Sequence, residues 1–329
     1  MINIEGENLS THYLDINSSL EKERRSPLYV MKFGGTSMGG AKEITIVADI
    51  VSGHYRDGKS LVVVPSAMGG VTNLLVSVVD GIKKSDTTSI NKDLRAIFDK
   101  HMIASNEIGL SMIQKKGLQE KLRDLFIGLR NDVSSASGNI TVSGEARDRI
   151  LSYGERMSAR ILEAKCQQER LQSVVVDAFD IIETDDNFGE ARPDFEQTKI
   201  KATYRINPML KKGVIPIVTG FIGATRDGRI TTLGRGGSDY TASILGWALD
   251  AKEVWIWTDV DGVFTDDPNK NPDAKFIDKM TYKEADAMAK NRNKVLYGKT
   301  LEPLFGTGIV LCVKNTFNRI CEGTRITAS

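Results

Sequence analysis

The chain has 329 residues, 40% of them hydrophobic, with 44 basic and 43 acidic side chains that leave a formal net charge of +1. That length and apolar content suit one large α/β domain or two ordinary ones, and the charge balance removes any global electrostatic case for a nucleic-acid or anionic-membrane partner. Cys166, Cys312 and Cys321 are an odd number without ligand-like spacing, which argues against zinc and for reduced thiols in a cytoplasmic protein.

Residues 1–27 are polar, with a charge run at 21–25 and no apolar signal core, and are expected to form a loosely docked tail. No stretch is long and apolar enough to span a bilayer. An extended apolar run from Leu28 then stops at Lys32, and Gly34, Gly35, Thr36 and Ser37 follow. Ile44, Val47, Ala48 and Val51 recur at helical spacing, predicting a helix over 41–53. Strand, glycine turn and helix in that order suit an anion, because the glycines let backbone N–H groups approach it and Lys32 adds a positive charge. Packing alone also explains such turns, so the segment by itself leaves both readings open.

Gly53-His-Tyr-Arg-Asp-Gly58-Lys59-Ser60 fits the phosphate-loop pattern letter for letter. That loop needs a strand before it and a helix after it, and here the order is reversed, so a surface helix-to-strand turn is expected. Runs at 61–64, 173–176, 214–219, 254–258 and 309–313 read as buried strands alternating with helical patterns. The rhythm predicts an α/β fold with a mainly parallel sheet covered on both faces. Residues 91–131 differ: they are charged and helix-forming, with interruptions expected near Gly109 and Gly117.

Glu155, in Ser152-Tyr-Gly-Glu-Arg156, stands where a helical pattern over 156–168 begins. An acid there either stabilises a helix dipole or grips a substrate ammonium. Further on, Thr219-Gly-Phe-Ile-Gly223 precedes Leu233-Gly-Arg-Gly-Gly-Ser-Asp239, which opens a helical run over 240–249. Arg235 in that glycine loop can hold a carboxylate through two parallel hydrogen bonds. Ser238 and Asp239 are either ordinary helix caps or part of the same wall. Trp257-Thr-Asp-Val-Asp-Gly-Val-Phe264 with Asp266-Asp-Pro268 reads as a strand ending in a polar turn that meets a nucleotide. Asp259-Val-Asp261-Gly262 begins like a calcium loop, but the later ligand spacing fails. Lys294, beside apolar Val295 and Leu296, is a solvated helix residue or a phosphate ligand.

Together KFGGTS at 32–37, SYGER at 152–156, GRGGSD at 234–239 and TDVDGVFTDDP at 258–268 resemble the aspartate kinases of the amino-acid kinase superfamily. Supporting matches lie at 71–74, 185–194 and 313–317, so the resemblance spans roughly residues 28–327. It implies a three-layer αβα sandwich, with an amino-acid-binding N-lobe at 28–218, a nucleotide-binding C-lobe at 219–329, and ATP with Mg²⁺ held mainly by the phosphates. Carried over by motif, Lys32 would bridge the transferred phosphoryl group, Gly34 and Gly35 would donate backbone N–H groups, and Asp239 would orient Lys32. Ser66, Thr72, Glu155, Phe221, Arg235 and Ser238 would bind L-aspartate or a close analogue, with Glu155 on its ammonium and Arg235 on its α-carboxylate. Thr258, Asp259, Phe264 and Lys294 would bind the nucleotide.

The activity so implied is phosphorylation of the aspartate side chain to 4-phospho-L-aspartate, the opening step toward lysine, threonine and methionine. An analogue-specific enzyme and a non-catalytic ligand-binding subunit are the alternatives. The chemistry agrees with a kinase: a carboxylate with a pKa of about 4 is already ionised at neutral pH and needs no general base. Consistent with this, His12, His54 and His101 all lie outside the motifs.

Three departures stand out. Tyr297-Gly298 replaces the usual His-Pro after Lys294-Val-Leu, which is expected to loosen that loop, and Asn269 stands where an arginine usually follows Asp-Pro. Relatives usually continue past residues 323–326 into ACT-type regulatory domains, so either a catalytic-only enzyme, insensitive to lysine and threonine, or one piece of a longer or partnered protein is expected. A homodimer through the catalytic domain is one option for assembly.

Overall fold

Along the central strands, successive side chains enter two different hydrophobic cores. Tyr29, Met31 and Phe33 join one cluster while Val30 joins the other, and Leu61 and Val63 alternate with Val62 and Val64 in the same way. A strand buried on both faces reads as one continuous apolar run. That is why these segments were legible without polar alternation.

The computed structural model describes residues 26–137, 141–266, 271, 273–290 and 297–328. In chain order the elements are β1 (Leu28–Phe33), α1 (Ala41–Arg56), β2 (Ser60–Pro65), α2 (Val71–Lys83), α3 (Thr87–Glu107), α4 (Met112–Ser137), α5 (Gly144–Gln168), β3 (Ser173–Val176) and β4 (Glu183–Thr184). There follow α6 (Phe195–Lys211), β5 (Ile215–Val218), β6 (Ile222–Thr225), β7 (Ile230–Thr232), α7 (Gly237–Ala248) and β8 (Glu253–Thr258). The last are β9 (Val263–Phe264), β10 (Phe276–Ile277), β11 (Lys279–Thr281), α8 (Tyr282–Lys290), α9 (Gly298–Leu301), β12 (Val310–Asn315) and β13 (Thr324–Thr327).

The main sheet has eight strands in the order β11-β13-β12-β8-β1-β2-β5-β3. Neighbours are parallel except β12 and β13, which pair antiparallel. One face carries α1 to α5, through residues such as Ile44, Leu75, Ile97, Leu122 and Ile150. The other carries α6 to α9, through Ala202, Ile244, Ala285 and Leu301. The fold is therefore a three-layer α/β sandwich with a mainly parallel sheet. No helix among the described residues is long and apolar enough to cross a membrane.

Several expectations change in detail. Gly109 does break the helical stretch, at φ 79°, but Gly117 lies inside α4, where open space beside it lets a helical glycine persist. The 309–313 strand slides to Val310–Asn315, since β12 pairs with β8 from Val310↔Glu253 to Asn315↔Thr258. The 41–53 helix extends to Arg56, and Gly58 at φ 80° turns it into β2, which leaves the phosphate-loop lookalike as a helix-to-strand turn.

The largest revision concerns α5. Ser143 caps it, accepting from the Ala146 N–H at 3.1 Å, so Glu155 lies in mid-helix and far from any helix end. The dipole explanation for that acid is thereby removed. Similarly, α7 starts at Gly237 after Gly236 at φ 72°, and no side chain caps it. Ser238 and Asp239 are thus first-turn residues, not caps.

Asp148 ties α5 to β7 and to the turn at Gly189. Its fully buried carboxylate accepts from the N–H groups of Gly189 (2.7 Å) and Thr232 (2.8 Å), with Arg147 at 3.0 Å on the other oxygen. Burial still pushes its pKa up, against those hydrogen bonds. Asp148→Ala strands two buried N–H donors, so urea denaturation should show a loss of about 3 kcal/mol. A midpoint shift no larger than for an exposed residue would disprove that role.

Candidate active site

In a parallel sheet the strand ends that share one edge form a crevice, and ligands bind there. Here β1 ends at Lys32 and Phe33, β2 runs into Ser66, and β8 ends at Thr258, all beside the first turn of α7. A cavity of about 980 Å³ opens at this edge. Lys32, Gly34, Gly35, Ser66, Thr72, Glu155, Phe221, Arg235, Ser238, Asp239, Thr258, Asp259 and Phe264 all line it. Lys294 lies outside the described residues. Lys32 and Arg235, about 200 positions apart in sequence, thus share one cleft.

Lys32 shares the parity of Val30 and turns toward the α7 face, where its Nζ lies 2.5 Å from Asp239 Oδ1. Both residues are only 8% exposed, and a charge so buried needs its partner. The following turn is fixed by its neighbours: the Gly34 N–H donates to Trp257 O (3.1 Å), and the Ser66 N–H donates to Phe33 O (2.9 Å). A Cβ on Gly34 would lie 3.4 Å from the Lys32 ammonium, so the missing side chain keeps space open beside that charge.

Glu155 reaches the cavity because α5 packs closely under the loop after β2. A Cβ on Gly154 would stand 2.9 Å from Ala67 Cβ, and the Ser158 hydroxyl donates to Ser66 O at 2.6 Å. Glu155 is 3% exposed, and its Oε2 has no hydrogen-bond partner. Burial pushes its pKa up to about 8, although the Ala67 N–H and the positive charge of Lys32 pull the other way. A buried carboxyl with one oxygen left unpaired beside a cavity suits a cationic ligand group.

Phe221 is held in the left-handed region at φ 71°, with its N–H on Thr241 Oγ1 (3.0 Å) and its carbonyl accepting from Leu233 N (2.9 Å). Such a conformation costs on the order of 1–3 kcal/mol in a non-glycine residue and points to a functional constraint. Gly237 leaves room for the Phe221 ring, and Gly220 for Ser238. Arg235 stands exposed on its glycine loop at the cavity mouth.

On the opposite wall, Thr258 Oγ1 donates to Asp259 Oδ1 at 3.1 Å. Asp261 accepts from Asn315 (2.8 Å) and Asn318 (2.9 Å), so the calcium-loop lookalike spends this carboxylate on bracing its own turn. Among the described residues no group of three or more His, Cys, Asp or Glu is placed to hold a metal.

Sequence reasoning passed over several lining residues. Ser37 is buried with its Oγ 2.7 Å from Thr316 Oγ1, joining the glycine turn to the end of β12. Asn73, Thr265, Met288 and Tyr297 also line the cavity. Ser37 and Asn73 sat inside motifs already singled out, but Tyr297 carried no signal beyond its departure from the usual pattern.

Two histidines among the described residues lie elsewhere. His54 packs edge-on against Trp255 at 4.7 Å and His101 is buried in α3, and burial lowers both to about 4.

The chain is similar to the lysine-sensitive aspartokinase 3 of Escherichia coli, 35% identical over 310 residues that cover 92% of this chain and 64% of the relative. An aspartokinase of Chlamydia muridarum is also 35% identical, over 94% of this chain and 65% of its own length. The chain thus spans somewhat under two thirds of these relatives. The crystal structure of E. coli aspartokinase III in complex with aspartate and ADP superposes with a TM-score of 0.84 at 33% identity, covering 91% of this chain and 64% of that one. A model of the amino acid kinase family matches residues 27–315, nearly the whole described fold and every strand-end turn that builds the cavity, and the chain belongs to that family.

Proposed function

We propose that this chain transfers the γ-phosphoryl group of ATP to the side-chain carboxylate of L-aspartate, giving 4-phospho-L-aspartate and ADP. The observation that carries the proposal is the convergence of Lys32, Glu155 and Arg235 on one cavity of about 980 Å³. Aspartate offers an ammonium for Glu155, an α-carboxylate for Arg235 and a second carboxylate directed at Lys32. The E. coli aspartokinase III complex with aspartate and ADP supports the same pair of ligands.

In the reaction, a side-chain carboxylate oxygen attacks the γ-phosphorus and the bond from that phosphorus to the ADP oxygen breaks. The attacking oxygen is already ionised, so no residue needs to remove a proton. The obstacle is repulsion between two anions, which Lys32 offsets because Asp239 at 2.5 Å fixes its ammonium in place. The Gly35 N–H adds an oriented dipole, whereas the Gly34 N–H, expected from the motif to do the same, is already spent on Trp257 O at 3.1 Å. Mg²⁺ arriving on the nucleotide phosphates supplies further charge neutralisation, and no side chain of this chain is assigned to it.

In this reading the acid lies between Ser66, Thr72 and Glu155 on one side and Phe221, Arg235 and Ser238 on the other, and the nucleotide lies against Thr258, Asp259 and Phe264, with Lys294 on its phosphates. The product would feed lysine, threonine and methionine synthesis.

The test is ADP release across a panel of acidic amino acids, with hydroxylamine trapping the acyl phosphate. Aspartate should be the best acceptor and should yield the hydroxamate. Turnover of an analogue far above aspartate would replace the substrate, and binding of both ligands without ADP release would replace the kinase reading by a ligand-binding one.

A further inference from the structure

Arg235 has a long side chain on an exposed glycine loop, and nothing within that loop confines it. The confinement comes from Tyr297, across 62 residues of sequence. The Arg235 Nε donates to the Tyr297 hydroxyl at 3.3 Å, and the guanidinium carbon lies 5.5 Å from the centre of the tyrosine ring. Committing Nε to the phenol leaves both terminal nitrogens as a fork for a carboxylate.

The loop is shaped to receive the ring. Gly236 has φ 72°, and a Cβ there would stand 2.6 Å from Tyr297 Cδ2, so any side chain would push the ring off Arg235. A second tether flanks the first: the Lys299 ammonium pairs with the Glu190 carboxylate, which lies against Gly234, where an added Cβ would come within 2.6 Å of Glu190 Cδ. The 297–299 segment therefore grips the loop on both sides of Arg235.

We propose that Tyr297 is a positioning residue that orients Arg235 to bind the α-carboxylate of the acid substrate. This rests on the kinase reading above. It also gives a purpose to the tyrosine that stands where the family pattern has histidine. Tyr297 acts through Arg235 and takes no part in phosphoryl transfer.

The experiment is a double-mutant cycle with Y297A, Y297F and R235A, reading KM for aspartate, KM for ATP and kcat. Y297A should raise the aspartate KM about tenfold, with kcat and the ATP KM changed by less than about twofold. Y297F keeps the ring under the guanidinium and should recover most of that loss. In the R235A background, Y297A should add nothing further, because the side chain it orients is already gone.

An unchanged aspartate KM in Y297A, or independent multiplication of the R235A and Y297A effects, or a rise in ATP KM instead, would each overturn the assignment. If Y297A fails to fold, Y297F in the same cycle carries the test: a small rise in aspartate KM that vanishes with R235A supports the proposal, and one that persists refutes it. A wild-type protein that releases no ADP with aspartate sinks the kinase reading and this proposal together. A wild type that does release it, with Tyr297 variants that behave like it, sinks the proposal alone.

Discussion

Replacing Lys32 by methionine is expected to lower kcat by about 10³-fold while the aspartate KM moves by less than about threefold. Methionine keeps most of the apolar stem and removes the ammonium that offsets charge between the incoming carboxylate and the phosphoryl group. The same change leaves the buried Asp239 carboxylate without its 2.5 Å partner, so stability should also fall, by about 3 kcal/mol. A K32M/D239N double variant separates the two effects: asparagine removes the orphaned charge, so the melting temperature should recover while turnover stays lost. Single-turnover and steady-state assays with a melting curve measure all three quantities. Turnover of K32M within tenfold of wild type would take Lys32 out of the phosphoryl step.

Glu155→Gln is expected to weaken aspartate binding about 100-fold, because an isosteric amide cannot neutralise the substrate ammonium in a buried setting. The pH behaviour tests the same contact from another side. With its pKa pushed up to about 8 by burial, Glu155 is mostly protonated at pH 7 in the free protein and must ionise to pair with an ammonium. Aspartate binding at pH 7 should therefore release a proton, seen by calorimetry as a dependence of the apparent enthalpy on the buffer. Apparent affinity should rise by up to about tenfold per pH unit toward pH 8 and then level off.

The sign for stability runs opposite. The folded protein holds this proton where the unfolded chain releases it, so the stabilisation is complete below about pH 4.5 and is lost as pH rises through about 8. Relative to E155Q, the ligand-free wild type should melt progressively lower between those limits. A pH-independent difference between the two proteins, together with binding that releases no proton, would mean that Glu155 is already ionised or does not meet the ligand.

Much of the architecture was legible because both-face burial writes a simple code. Val62, Val63 and Val64 have no polar alternation, since the sheet has helices on each side, and such runs announce interior strands. Local glycine chemistry was legible for a similar reason: Gly234 and Gly236 take positive φ, and Gly237 packs where a Cβ would stand 2.6 Å from the Phe221 ring, so that loop needs room that no other residue leaves. Element ends were less legible. The true start of α5, eleven residues ahead of Glu155, depends on Ser143 as its cap and on packing under the Ala67 loop, and neither is visible in the spacing of apolar residues.

The amino-acid sequence alone determined the class of fold, the strand-end glycine turns and the cationic and acidic side chains offered there, because each is set by periodicity or by a residue's own conformational limits. Only the tertiary structure decided which of those groups meet. The 2.5 Å pairing of Lys32 with Asp239, the unpaired burial of Glu155 and the contact between Arg235 and Tyr297 all depend on parallel strands ending at one edge. Distance across that edge and exclusion of water are properties of the packed chain, and no local run of residues encodes them.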